Sequence, residues 1–430
     1  ILGSLIFFSW QNPVTLWVPI VLCLIAFFGV HWLIQEEGFL SQKFRLFALL
    51  ILLSTPLIIF KYFHFLFAIV GMAAQELGST FPIGISFMTF TMISYVVDVF
   101  KKNFPPVTSF SHLFAYLLFF PRILAGPILR PSELIPQLLR SKSGKFSSLG
   151  LGLTILTLGL IKKVIFADSM NDAVNPIFDN PIGHNTPTYW LAILGYTLQV
   201  YCDFSGYTDM AIGTSVIFGI RLPINFNKPY TSINLRDFWH RWHITLSRWL
   251  RDYIYIPLGG NQCSKPRYLS NIIFTMVICG IWHGANWTFV LWGLLHGIGL
   301  MGISSIKYSQ TLTRFISIIP KKIKWLLTFL FLVLSWILFR SPNIETATTI
   351  LIGAFTINFI DMDHFFSSNL FFLILLTVFA LSHRYDSLVN VRLFYRRSKK
   401  VVLAMIILMS WIIIIGLSTP RSNSFIYLDF

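Results

Sequence analysis

Apolar stretches long enough to cross or enter a bilayer recur along the whole chain, and no other feature restricts its fold as tightly. They lie near 14–34, 44–70, 83–100, 149–168, 188–202, 205–220, 269–282, 285–306, 324–340, 344–360, 369–383 and 401–418. A helix needs about 20 apolar residues to span the hydrocarbon core. Inside lipid every backbone N–H and C=O must be satisfied within the protein, so the stretches nearer 15 residues are expected to be tilted, broken or re-entrant and covered by protein or water. The expected fold class is all-α, an integral membrane protein of roughly 10–12 transmembrane or re-entrant helices. No internal repeat, low-complexity tract or linker divides the sequence, so residues 1–430 read as a single membrane domain. The chain starts at Ile1 and not at Met. Its N-terminus therefore reads as truncated, and no cleavable signal peptide is recognisable.

Composition agrees. Apolar residues make up 55% of the chain and charged residues 12%, with a mean hydropathy of +0.70. The usual charged fraction of a soluble domain is about 25%. The net charge of +16 would suggest nucleic acid in a soluble protein. Here it reads as Lys and Arg gathered in cytoplasmic loops by the positive-inside rule, with no nucleic-acid partner. The clusters are Arg140/Lys142/Lys145, Arg236 to Arg251, Lys321/Lys322/Lys324 and Arg392 to Lys400. The last could also touch anionic headgroups of membrane lipids. Stretches 164–220 and 341–383 contain no Lys or Arg at all, while Asp168, Asp172, Asp179, Glu345, Asp361 and Asp363 fall within them. Their loops near 170–187 and 361–368 are expected outside the cytoplasm. Cys23, Cys202, Cys263 and Cys279 have neither metal-like nor paired spacing; Cys23, Cys202 and Cys279 lie in apolar stretches and read as small hydrophobic residues.

Two segments depart from the lipid-facing pattern. Arg236–Gly260 is too charged for an ordinary span, yet Trp239, Trp242, Leu246, Trp249 and Tyr253 follow steps of three and four and predict a helix with one aromatic stripe. Arg241, Thr245, Arg248 and Asp252 form a polar stripe; Arg236, His240, His243 and Ser247 form a third. Pro257 and the Gly259–Gly260 pair end it. Such a helix can lie at the headgroup level. Alternatively it lines a cytoplasmic cavity, where forked guanidinium donors suit a phosphate-bearing ligand such as coenzyme A.

The second segment is Cys279–Gly299, where His283 stands in an apolar span beside Trp282, Gly284 and Asn286. An ionisable residue at membrane depth marks a reactive site or a pathway. His296 follows thirteen residues later, about 140° around a straight helix, and suits packing or hydrogen bonding better than catalysis. A metal site built from His240, His243 and His283 lacks an accompanying Glu or other carboxylate, so no metal is expected. The Ser205–Gly206 pair lacks the spacing of a nucleophile elbow. Asp203 and Asp209 flank that pair at a span boundary and are either buried and functional or helix caps at the interface, capping being the better fit.

At these residues the sequence resembles the membrane-bound O-acyltransferase (MBOAT) family, and within it the bacterial alginate O-acetylase type of polysaccharide acetylation protein. The motifs are collinear: PIGISFMTFTMISYVVDVF at 82–100, FPRILAGPILRPSEL at 120–134, GLIKKVIFAD at 159–168, QVYCDFSGYTDMAIG at 199–213, INFNKPYTSINLRDFWHRWHITLSRWLRDYIYIPLGGN at 224–261, GIWHGANWTFVLWGLLHG at 280–297 and FIYLDF at 425–430. The resemblance weakens before about residue 55 and around 305–325 and 355–400. It implies helices in a ring around a central funnel, an invariant catalytic histidine at His283, and a second functional polar position at His243. Cys202 stands where an aromatic is common and His240 where Arg is frequent.

The resemblance further implies an O-acetyltransferase of the bacterial inner membrane. It would move acetyl from a cytoplasmic thioester, acetyl-CoA, toward hydroxyls of an envelope polysaccharide, directly or through an esterase-like partner transferase, with no permanently bound cofactor. An imidazole, with its unperturbed pKa of about 6.5, suits His283 as general base. His243 would orient the thioester or donate to the developing oxyanion. Arg241, Arg248 and Arg251 are candidates for the donor phosphates. A D-alanyl-transferring or lipid- or protein-acylating relative is the nearer alternative, and a transporter or channel the more distant one.

Overall fold

A computed structural model describes residues 1–11, 13–35, 40–72, 82–140, 148–306, 308–358 and 362–418. Lys142, Lys145, Asp361 and the 425–430 motif lie outside the described residues. Among the described residues the regular structure is helical, and seven helices are long and apolar enough to cross a membrane. They are Pro13–Ile34, Gln42–Ile69, Leu149–Asp179, Trp287–Ile306, Lys321–Arg340, Met362–Tyr385 and Lys400–Leu417. The all-α integral membrane fold is thus as the apolar pattern predicts. Helices Ile85–Phe100 and Ile344–Phe355 are apolar but shorter.

The described residues form two compact units, Ile1–Leu153 with Ala211–Pro223, and Thr154–Met210 with Ile224–Phe430. In the first, Gly29 lets the helices around it close on Leu49, the small-residue contact common where helices pack without a hydrophobic drive between them. The 120–134 motif folds around Arg122, which is 3% exposed. Its guanidinium donates to the Thr91 hydroxyl at 2.8 Å and to the Tyr116 carbonyl. Gly84 has φ +70°, and a Cβ there would strike the Ile123 carbonyl, so this turn requires glycine on two counts. Gln137 pairs its side-chain amide with both backbone groups of Arg221.

In the second unit two expectations need correction. The stretches 188–202 and 205–220 are not two spans. A single 32-residue helix, Thr186–Ile217, runs through both, its last residues belonging to the first unit. Asp203 and Asp209 consequently lie inside a helix and cap nothing. Lys163 pairs with Asp203 at 2.6 Å and with Asp168 at 2.9 Å, and Lys162 pairs with Asp209 at 2.7 Å and Asp386 at 2.8 Å. Both lysines come from a π-helical segment, Ile161–Ala167. With its carboxylates neutralised by lysines, the helix continues where its sequence looks polar enough to stop.

Candidate functional site

The 236–260 segment is not one helix. Leu235–Trp239 and Ile244–Leu250 are separate helices, followed by a π-helical turn at Arg251–Tyr255. The break falls at His243, whose backbone is left-handed at φ +41°, a conformation uncommon for any residue but glycine. Asn225 supports the break from the chain before it. Its carbonyl accepts the Ile244 N–H at 2.9 Å, and its side-chain oxygen accepts the Thr245 N–H at 3.2 Å and hydroxyl at 2.9 Å. Asn227 donates its N–H to the Arg241 carbonyl at 2.9 Å. The polar groups freed by interrupting the helix are therefore taken up by residues 225–227, as burial demands.

The aromatic stripe is still real, but it faces protein and not headgroups. Trp239, Trp242, Leu246 and Trp249 are all buried. Trp242 stacks with Phe238 and lies 5.0 Å from Trp336, ring centre to ring centre. Trp336 in turn stacks against Trp292 at 5.9 Å, and Trp292 meets the His283 ring edge-on at 5.3 Å. An unbroken run of aromatic contacts thus links the residue beside His243 to His283. Such pairs are worth about 0.5–1.5 kcal/mol each beyond their burial, so both histidines sit in a stiff environment.

His283 is the last residue of helix Lys265–His283, and Trp287–Ile306 begins four residues later. It therefore stands at a helix end and not within a span. The two helices approach so closely that a Cβ on Gly280 would meet the Phe289 carbonyl, and one on Gly293 the Met276 carbonyl. Gly284 lies under the Phe289 ring. Asn286 caps the second helix by accepting the Thr288 N–H at 3.1 Å, and its amide donates to the Pro342 carbonyl at 2.6 Å. Each residue of the WHGAN turn except Ala285 thus has an identifiable task. His283 is 3% exposed, enclosed by Trp282, Trp292 and Phe339 at ring-centre distances of 4.9, 5.3 and 5.0 Å.

His243 is completely buried, 4.6 Å from the Phe204 ring and 6.0 Å from Trp282. The structure thus brings His243 and His283 together against one indole. His296 belongs elsewhere: its Nε2 is 3.1 Å from the Ser335 hydroxyl, and its ring packs on Trp292 and Phe331, in keeping with a packing and hydrogen-bonding role. His240 is exposed. No group of three or more His, Cys, Asp or Glu among the described residues has the arrangement of a metal site.

The three arginines differ in their surroundings. Arg241 Nε bonds Asp237 at 2.7 Å one turn earlier, and Arg251 Nε bonds the adjacent Asp252 at 2.7 Å while its side chain is largely exposed. Arg248 is half-buried on the same short helix as Thr245. Sequence reasoning missed Asn225, Trp292 and Phe339. Asn225 sits in the quoted 224–261 motif, but nothing local marks it as the support for a residue eighteen positions on.

A family model described as MBOAT, membrane-bound O-acyltransferase family, matches residues 99–341. The chain is 38% identical over 398 residues to a peptidoglycan O-acetyltransferase of Helicobacter pylori, covering 85% of this chain and 74% of that protein. It is 41% identical over 272 residues to the probable alginate O-acetylase AlgI of Azotobacter vinelandii, covering 62% of this chain and about half, 52%, of the relative. A teichoic acid D-alanyltransferase of Bacillus subtilis is 32% identical over 255 residues, 57% of this chain and 62% of that protein. The matched region contains the left-handed break at His243 and the turn at His283, and on these matches the chain belongs to the membrane-bound O-acyltransferase family.

Proposed function

We propose that this protein is an O-acetyltransferase of the bacterial inner membrane that moves acetyl from cytoplasmic acetyl-CoA toward hydroxyls of an extracytoplasmic envelope polysaccharide. The observation that carries the reading is the convergence of His283 and His243 on Trp282 within a buried aromatic shell. Relatives acting on peptidoglycan and alginate share 38% and 41% identity with the chain, against 32% for the D-alanyltransferase, which favours acetyl over D-alanyl.

The donor thioester is already activated, so the remaining barrier lies in the hydroxyl. The His283 imidazole takes the hydroxyl proton as its oxygen attacks the thioester carbonyl carbon. The carbon–sulfur bond breaks, the ester forms, and the proton returns from the imidazolium to the departing thiolate. His243 donates to the carbonyl oxygen while negative charge develops there. Arg241, Arg248 and Arg251 hold the donor phosphates; Arg241 and Arg251 also bond Asp237 and Asp252. The acceptor hydroxyl belongs to the polymer itself or to an esterase-like partner that relays the acetyl group.

The deciding experiment replaces His283 with Ala and measures base-released acetate on the envelope polymer, together with transfer from radiolabelled acetyl-CoA. Loss of both, with the variant still folded in the membrane, is the expected result. Undiminished acetylation would remove His283 from the chemistry, and transfer of label from D-alanine but not from acetyl-CoA would replace the acetyl assignment.

A further inference from the structure

The first unit carries a cleft of about 460 Å³ lined by Gln137, Arg140, Gly219 and Arg221. Arg140 directly follows helix Pro131–Leu139. Gly219, at φ +69°, turns the chain out of the Thr186–Ile217 helix two residues before Arg221, a left-handed conformation that glycine takes without strain. Gln137 locks these two chain segments together. Its Nε2 donates to the Arg221 carbonyl at 3.0 Å, and its Oε1 accepts the Arg221 N–H at 2.9 Å. Nε2 also donates to the Glu133 carbonyl at 2.7 Å, one turn earlier on its own helix. The brace engages only the backbone of Arg221, so it fixes where the side chain starts and leaves the guanidinium free to face the cleft.

The charge of the cleft is one-sided. Arg140 and Arg221 are exposed, and its lining contains no Asp or Glu. Among the described residues neither arginine belongs to an ion pair. Two like charges on one concavity repel, and an anion between them relieves that repulsion. Forked guanidinium donors match the oxygens of a phosphate. The neighbouring residues then decide which phosphate. Leu139 and Phe218, next in the chain to Arg140 and Gly219, are 51% and 55% exposed. In a membrane protein, large exposed apolar side chains beside arginines mark the level where hydrocarbon meets headgroups. The positive-inside rule puts the Arg140 cluster on the cytoplasmic side. A soluble phosphate gains nothing from the apolar rim. A phospholipid uses both parts, with its chains along Leu139 and Phe218 and its phosphate against the arginines.

We infer that this cleft binds the headgroup phosphate of an anionic phospholipid of the cytoplasmic leaflet, held by Arg140 and Arg221. The lipid adds a second tie, beside the Gln137 brace, between the Pro131–Leu139 helix and the chain that leaves the Thr186–Ile217 helix.

The test uses the full chain purified in detergent and stripped of lipid. It is offered dioleoyl phosphatidylglycerol, dioleoyl phosphatidylcholine, or glycerophosphoglycerol, which is the first lipid's headgroup without its chains. Native mass spectrometry reads bound lipid, and thermal unfolding reads the stabilisation that binding confers by linkage. The tightest phosphatidylglycerol step should be roughly tenfold stronger than that of phosphatidylcholine, and the soluble headgroup should not shift the midpoint. Arg140→Gln combined with Arg221→Gln should weaken that step about tenfold; the brace to the Arg221 backbone survives these changes. Lys321→Gln combined with Lys322→Gln removes the same charge from another cluster and should leave the step intact. Arg140→Gln alone should weaken it about threefold, which keeps the inference testable if the double arginine variant fails to fold. Equal binding of the two lipids by the unsubstituted protein would overturn it, as would equal weakening by the arginine and lysine pairs. A midpoint shift by glycerophosphoglycerol as large as the lipid's would overturn it in favour of a free phosphate.

Discussion

Lys163 holds its Nζ 2.6 Å from Asp203 Oδ1, with only 9% and 2% of the two side chains exposed. The pair joins the π-helical segment Ile161–Ala167 to the long helix that also carries Phe204, the ring against His243. Charges so far from water persist only when paired, and losing Asp203 leaves Lys163 with Asp168, at 2.9 Å, as its remaining carboxylate partner among the described residues. Asp203→Ala should therefore lower the unfolding midpoint sharply. Lys163→Met combined with Asp203→Leu should recover much of that loss, because both charges of the buried pair are then gone and Asp168, which loses its lysine, is partly exposed at 27%. A double-mutant cycle in detergent checks this; additive losses would show that the two residues do not act as a pair.

The left-handed backbone at His243 separates a structural role from a chemical one. Glycine adopts φ +41° without strain, so His243→Gly should fold at least as readily as His243→Ala. If the ring donates to the developing oxyanion, acetyl transfer by the folded glycine variant should still fall about 10²–10³-fold. Near-normal turnover would reduce His243 to a backbone device.

Asn225→Ala removes the side-chain oxygen that accepts the Thr245 N–H and hydroxyl. Leaving those donors buried should cost about 1–3 kcal/mol. Since the same groups fix His243, kcat should fall further than stability alone explains, up to ~10²-fold for a shift near 1 Å. Thermal unfolding and steady-state kinetics, measured on the same preparation, separate the two effects. A stability loss with kcat intact would show that Asn225 does not position His243.

Glycines in the His283 hairpin should be unequal. Gly293→Val places a side chain against the Met276 carbonyl, whereas nothing lies within 4 Å of a Cβ added at Gly302 on the same helix. Gly293→Val should therefore abolish folding or displace His283. Gly302→Ala should be neutral or stabilise by roughly 0.5–1 kcal/mol, since alanine loses less freedom in a helix. Membrane yield and unfolding midpoint report on both.

Much of this protein is legible without coordinates. The apolar stretches required membrane helices, because a chain this poor in charge has no other way to hide its surface. His283 stood out because an ionisable group among apolar residues needs a reason to be there, and the spacing of Trp239, Trp242, Leu246 and Trp249 correctly marked one buried face. Local pattern failed where distant residues decide. The aspartates at 203 and 209 look like the end of a span until Lys162 and Lys163, some forty residues earlier, neutralise them. The 236–260 periodicity reads as one helix because nothing near His243 announces that Asn225 will accept the donors freed by a break.

The sequence by itself determined the class of molecule and its motifs, and singled out His283 and His243 as candidates, since hydropathy and residue chemistry are carried by each residue alone. Tertiary structure decided which charges are paired, where helices break, and that His243 and His283 meet across Trp282. Those outcomes depend on electrostatics and packing between segments far apart in the chain, and no window of sequence contains both partners.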